Sequence, residues 1–146
     1  MDIEAFQGEY RWLSNFWPVP VELDGVVYPT VENAYQAAKA SPHLREPFRR
    51  CEAWQAKRLG RHVEMRADWD KAKLQVMRSL LNQKFAPSTE LAARLMRTAP
   101  SKLIEGNTWG DVFWGVCRGR GQNMLGRMLM EVRASLLQTK ETERGS

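Results

Sequence analysis

Three groups of side chains in this sequence have the types and spacing to do chemistry. The first is Glu32, Gln36 and Lys39, at i, i+4 and i+7, with Tyr35 beside them. On a helix they form one polar stripe, and Val31, Ala34 and Ala38 form the adjoining apolar one. Glu32 then stands in the first turn, where unpaired amides and the macrodipole favour an ionised carboxylate and hold it in place. A fixed carboxylate suits cleavage of a glycosidic bond, in which positive charge develops at the anomeric carbon and a water must lose a proton. Acids in first turns also serve helix stability alone, and the pattern by itself does not separate the two.

The second group is the run Asn107-Thr108-Trp109-Gly110-Asp111-Val112-Phe113-Trp114-Gly115. Tryptophan beside glycine gives weak support for helix or strand, so the run reads as a loop. Indoles in such a loop can stack on a base or a flavin-precursor ring, at ~1–3 kcal/mol per base. They can equally anchor the loop to the core. Trp12, Trp17 and Trp54 carry no comparable signal and read as core residues. The third group, Gly115-Val116-Cys117-Arg118-Gly119-Arg120-Gly121-Gln122-Asn123, runs into the last helix. Glycines such as Gly119 let backbone amides approach a phosphate, a helix start favours an anion, and Arg118 and Arg120 add charge-assisted contacts. The run matches neither G-x-G-x-x-G nor the Walker pattern, and a flexible loop capped by Asn123 is the plain alternative. Cys117 has no neighbouring histidine to make a nucleophile–base pair. Cys51, Cys117, His43 and His62 show no metal-ligand spacing, so neither a metal nor a cofactor is expected. The two histidines lie among arginines and read as surface or packing residues.

The elements that must position these groups follow from periodicity and punctuation. Val19–Leu23, Asp24-Gly25 and Val26–Tyr28 make a two-residue hairpin signal, with Leu23 facing Val26 and Val21 facing Tyr28. Pro18 and Pro20 place it at an edge. Thr30 is the expected N-cap of a helix over 31–40. Ser41-Pro42 opens another helix, bent near Pro47, and Glu52–Leu59 forms a further one that Gly60 ends. Asp68 caps a helix over 69–85, with Trp69, Val76, Met77, Leu80, Leu81 and Phe85 at helical spacing. Pro87-Ser88 starts a helix to Thr98, and Lys102–Glu105 reads as a short strand. A loop covers 106–122, and a last amphipathic helix over 123–137 turns Met124, Leu125, Met128, Leu129, Val132 and Leu136 to the core. The expected fold is α+β: a compact, predominantly helical single domain over 1–138 with a small antiparallel hairpin near the N-terminus. A polar tail, 139–146, is expected to fray.

At 146 residues, 43% hydrophobic and 27% charged, the chain fits one globular domain able to bury a core without disulfides. No apolar run approaches a membrane span, and the start has neither the basic nor the apolar region of a secretory signal. A cytoplasmic setting with free thiols is expected. The net charge of +5 is uneven: residues 1–40 hold two basic and six acidic side chains, the remainder 20 basic and 11 acidic. That surplus favours a phosphorylated small molecule or a nucleic acid, and is equally compatible with a solvated basic surface.

The ordered set of segments resembles the NADAR family. Its marks are Leu13-Ser14-Asn15-Phe16, Leu23-Asp24-Gly25, Tyr28-Pro29-Thr30-Val31-Glu32 and Tyr35-Gln36-Ala37-Ala38-Lys39. Ala56-Lys57-Arg58-Leu59-Gly60-Arg61, Arg66-Ala67-Asp68-Trp69, Lys84-Phe85, Leu103-Ile104-Glu105-Gly106-Asn107, Trp114-Gly115 and Asn123-Met124-Leu125-Gly126 follow, so the resemblance spans residues 8–137. It implies N-glycosidase chemistry on phosphoribosylamino intermediates of riboflavin synthesis, or on ADP-ribose attached to guanine in DNA. It matches Glu32 to the catalytic glutamate and Trp69 and Trp114 to pocket aromatics. Asn15, Gln36, Lys39, Arg58 and Asn123 match positions near the ligand.

Many members carry a histidine after the glutamate, where this chain has Asn33. Many riboflavin-type members carry an acid after Trp-Gly, where it has Val116. Asp111 is the candidate second carboxylate. The expected partner is thus a phosphorylated ribosyl or ADP-ribosyl molecule, or ADP-ribosylated single-stranded DNA. A module that binds ADP-ribose or NAD without cleaving it is the alternative.

Overall fold

The computed structural model describes residues 1–145, and Ser146 at the end of the expected tail lies outside them. Two compact units divide the chain: Asn15–Lys84, and Met1–Ser14 together with the chain from Phe85 onward. Helix predominates, with a small antiparallel hairpin, as the α+β reading expected.

In the unit 15–84, β1 (Val21–Leu23) and β2 (Val26–Tyr28) pair antiparallel in the expected register, Val21 opposite Tyr28 and Leu23 opposite Val26. Asp24 and Gly25 take φ of 49° and 82°, the pair of left-handed residues that a two-residue hairpin turn demands. Val21 and Tyr28 are buried, while Glu22 and Val27 face water. Gln83 covers part of the β1 edge: its Oε1 accepts from Glu22 N at 2.7 Å and its Nε2 donates to Glu22 O at 2.8 Å.

Thr30 caps α1 (Val31–Ala38), its Oγ1 accepting from Asn33 N at 3.0 Å. All eight residues of α1 are buried, and it packs against the hairpin and three other helices of the unit. Two of those helices are α2 (Glu46–Arg49) and α3 (Ala53–Gly60). A 3-10 turn, Pro42–Leu44, precedes α2, and Pro47 stands in the first turn of α2 instead of bending a longer helix. A reciprocal capping box of Glu52 and Gln55 starts α3. The third neighbour, α4 (Trp69–Lys84), buries Trp69, Met77, Leu80 and Leu81. Asp68, expected as its cap, gives its carboxylate to Arg66 in a bidentate pair at 2.6 and 2.8 Å.

The other unit departs more from expectation. Gly8–Leu13 is a 3-10 segment. The expected strand 102–105 reduces to one parallel bridge, Ile3 to Leu103. Helix α5 (Glu90–Arg97) is capped by Thr89, not Ser88, which takes φ of 70° ahead of it. The expected loop contains a short parallel pair, β3 (Gly106–Asn107) and β4 (Val116–Cys117). The last helix, α6 (Met124–Arg144), overruns its expected end and takes in most of the tail, because Lys140, Glu141, Glu143 and Arg144 are good helix formers and no Gly or Pro precedes Gly145 within the tail. Arg133 ties α6 to the end of α5, donating from Nη1 to Thr98 Oγ1 and Ser101 O.

Trp12 is buried and meets Phe85 edge-on at 6.4 Å, as a core indole should. Trp54, also expected in the core, is 56% exposed. Among the described residues no helix is long and apolar enough to cross a membrane.

Lys84 is buried, and desolvation lowers its ammonium from 10.5 to about 7. Between those values the folded chain binds fewer protons than the unfolded one, so stability rises with pH across that window. Lys84→Met removes this term. In urea unfolding at pH 7 and pH 10, wild type should gain on the variant by a few kcal/mol between the two pH values. A difference independent of pH would refute the assignment.

Candidate active site

The carboxylate of Glu32 lies in the first turn of the wholly buried helix α1, and the residue is 8% exposed. Burial of a charge requires compensation. Gln36, one turn on, donates from Nε2 to Glu32 Oε2 at 2.6 Å. Glu32 N donates to Asn15 O at 3.0 Å, which places Asn15 against the start of the helix. The Asn15 side chain is buried, with Nδ2 3.6 Å from Met77 Sδ and Oδ1 without a hydrogen-bond partner. Lys39 closes the stripe, its Nζ 5.7 Å from the centre of the Tyr35 ring. Burial pushes the Lys39 ammonium below its ordinary value; Glu32 pulls against this, while Arg61 and Lys73 push further down. Trp69 is buried and meets Tyr35, ring centres 5.2 Å apart and tilted by 57°. Asn15, Glu32, Gln36, Lys39 and Trp69 are therefore one connected cluster, with Tyr35 at its middle.

Gly60 completes the cluster in a way the sequence did not show. As a glycine near a helix end it reads as a stop signal, yet it is the last residue of α3 and is buried. A β-carbon there would land on the Gln36 amide oxygen. That oxygen has no donor among the described residues, and it lies against the bare glycine. The amide is thus oriented with its nitrogen toward Glu32.

Arg58 belongs elsewhere on α3: it is exposed and lines an open groove with Cys51, Trp54, Gln55, Leu59 and His62. Asn33, the residue after Glu32, gives its side chain to backbone of the following segments. Its Nδ2 donates to Phe48 O and Cys51 O, both at 2.8 Å.

In the other unit, the candidate residues of the glycine-rich region mainly hold the backbone. Asp111 Oδ1 accepts from Phe113 N at 3.1 Å and Trp114 N at 2.9 Å, closing a tight turn. Asn107 clamps the same loop, donating to Asp111 O and Glu105 Oε2 and accepting from Asp111 N. Trp114 is half-buried and meets Phe113 edge-on at 4.9 Å. Asn123 is buried; its Oδ1 accepts from Glu105 N and its Nδ2 donates to Leu103 O, both at 2.9 Å.

At the start of α6, where a phosphate seat was expected, the first amides are in backbone hydrogen bonds. Met124 N and Leu125 N donate to Phe113 O and Trp114 O, so those amides are already engaged. Gly119, with Arg118, forms an exposed left-handed turn between Cys117 and Arg120, their φ values 75° and 53°. A β-carbon on Gly115 or Gly121 would strike neighbouring backbone, which accounts for glycine at both positions. Val116 is part of β4.

A carboxylate anchored by an amide, with a lysine two turns beyond, is suited to a hydrolase for anionic glycosides. The family comparison agrees: the NADAR domain model matches residues 4–137, and the chain belongs to that family. N-glycosidase YbiA of Escherichia coli strain K12 is 41% identical over 133 residues, covering 88% of this chain and 82% of that protein. A riboflavin biosynthesis protein of Vibrio vulnificus is 39% identical over 132 residues, covering 87% of this chain and 36% of that protein. The NMR structure of E. coli YbiA matches with a TM-score of 0.82 at 38% identity, over 96% of this chain and 86% of that one. These relatives put the chain among hydrolases acting on N-glycosyl bonds.

Gly60→Ala tests the anchor. The added methyl should displace the flexible Gln36 amide while leaving the fold intact. The Gln36 side-chain NH2 resonances, set by a bond to a carboxylate, should shift toward solvent values in an 15N correlation spectrum. Unchanged resonances would show that Gly60 does not hold the amide.

Proposed function

We propose that the chain hydrolyses an N-glycosidic bond at C1′ of a phosphorylated ribose, as in phosphoribosyl or ADP-ribosyl conjugates, with Glu32 as the catalytic residue. The observation that carries this is the buried Glu32 carboxylate, held at 2.6 Å by Gln36 and followed two turns later by Lys39. As the C1′–N bond breaks, its electron pair leaves with the nitrogen and positive charge grows on the sugar. The ionised Glu32 stabilises that charge and accepts a proton from the incoming water. Over the whole reaction water supplies the hydroxyl to C1′ and the proton to the departing nitrogen. The unmet Asn15 Oδ1 is an acceptor for a sugar hydroxyl. Lys39, with Arg61 and Lys73 near enough to depress its pKa, faces the phosphate. This moves the phosphate from the glycine-rich loop, whose helix-start amides are engaged, to the cations of the unit that holds Glu32. Asp111, its Oδ1 closing a turn, shapes the loop that carries Trp114.

Hydrolysis of two substrates by wild type and Glu32→Gln tests the proposal: the phosphoribosylaminouracil intermediate, and a single-stranded oligonucleotide carrying ADP-ribosylated guanine. Glu32→Gln should lose at least ~10²-fold in rate on the true substrate. Equal turnover would refute the assignment. Binding of either substrate with no product would identify a sensor of ribosyl phosphates instead.

The pH profile tests Lys39. Because its pKa is lowered, its charge is lost below the pH at which an ordinary lysine titrates. On the true substrate, kcat/KM should therefore fall on an alkaline limb below pH 10.5, and Lys39→Arg, charged throughout, should remove that limb. An unchanged limb in Lys39→Arg would assign it to another group.

A further inference from the structure

Helix α3 has two chemically different faces. Ala53, Ala56 and Gly60 are buried, Gly60 against Gln36. Outward, Trp54, Gln55, Arg58, Leu59 and His62 follow one another at i, i+1, i+4, i+5 and i+8, and with Cys51 they line an open groove of about 300 Å³. Trp54 is 56% exposed and Leu59 39% exposed, so an indole and a leucine stand in water on a helix whose core contacts are made by other residues. Two cations accompany the groove: Arg58 in its lining and Arg61 three residues further on, while Arg49 and Arg50, earlier in the chain, are paired with Glu46. Among the described residues no ion pair takes Arg58 or Arg61. Burial pushes the Cys51 thiol up, away from thiolate chemistry.

We propose that this face of α3 binds a single-stranded polynucleotide, with one base stacked on Trp54 and neighbouring phosphates on Arg58 and Arg61. An exposed indole takes the face of any unpaired base, and unpaired guanidiniums take phosphate oxygens. A duplex offers no free base face to such a platform. A second copy of the chain is disfavoured, because a two-fold interface would set these cations against themselves. Arg61, directly after α3, is also near enough to Lys39 for its charge to act on that ammonium. Trp54 and Arg61 are seven residues apart, about 10 Å along the helix axis, a gap that adjacent nucleotides of one strand can bridge. The face would hold the strand that flanks a modified nucleotide. This adds a separate strand-binding face to the proposed function and rests on that function for the cleavage step, but not for binding.

The test is fluorescence anisotropy with a labelled, unmodified oligothymidylate of roughly 12 nucleotides and the full chain. Affinity should fall steeply between about 50 and 200 mM salt. Trp54→Ala should lose about tenfold and Trp54→Phe should keep most of the affinity. Arg58→Ser and Arg61→Ser should each lower the salt slope by about 1. Trp109→Ala, which removes another exposed indole, should have no effect. Turnover of the phosphoribosylaminouracil intermediate by Trp54→Ala should match wild type if that molecule is a substrate.

Strand binding without any hydrolysis would support this face while removing the enzymatic reading. Hydrolysis with no strand binding would do the reverse. Equal affinity in Trp54→Ala, an equal loss in Trp109→Ala, or a dimer in sedimentation that Trp54→Ala dissolves would overturn the proposal.

Discussion

The hydrogen bond from Gln36 to Glu32 is the constraint around which the unit 15–84 is arranged. A carboxylate at 8% exposure is costly unless its charge is met by a donor at a fixed place. The donor must come from the same helix face, which puts it four residues on. It must also be turned the right way, and an amide side chain has two ends. Gly60 resolves the orientation, because its missing side chain makes room for the Gln36 oxygen. The helices α1 and α3 can approach this closely because Ala34, Ala37, Ala38, Ala53 and Ala56 supply small buried contacts. The hairpin and α4 then close over the remaining sides of α1.

In the unit formed by the chain ends, carboxylates and amides have another task. Asp111, Asn107 and Asn123 are bonded to main-chain groups, and together they shape an irregular stretch that has little sheet or helix to hold it. Residue type alone does not separate these roles: an Asp can close a turn, and a Glu can catalyse. The difference lies in the partners. Asp111 Oδ1 accepts from two backbone amides of its own turn, whereas Glu32 takes a side-chain amide that is itself positioned by a second helix.

The basic surplus beyond residue 40 also divides into kinds. Arg45, Arg50, Arg66 and Arg97 have carboxylate partners. Lys39 is desolvated near Glu32, and Arg58 stands on an outer face beside an exposed tryptophan. A net charge of +5 thus says less than the placement of a few cations, because a paired arginine presents little field to a ligand.

The sequence by itself determined the hairpin with its register, the Thr30 cap, α1, and the polar stripe of Glu32, Gln36 and Lys39. These are local: a turn of two left-handed residues, a hydroxyl three residues from an amide, and a 3.6-residue period are written in neighbouring positions. Periodicity also gave the core faces of α4 and α6, whereas the ends of α5 and α6 shifted because caps and helix formers outweighed the expected stops. Only the tertiary structure decided that Gly60 serves Gln36, that Asn33 reaches Phe48 and Cys51, and that Asn123 ties Leu103 to Glu105. It also decided that the glycine-rich run is shaped by close backbone contacts, and that Trp54 faces water. Each of these depends on what a residue meets across the fold, at separations of 15 residues or more for the Asn33 and Asn123 bonds. No local pattern encodes such a partner, because burial and hydrogen-bond pairing are properties of the packed chain.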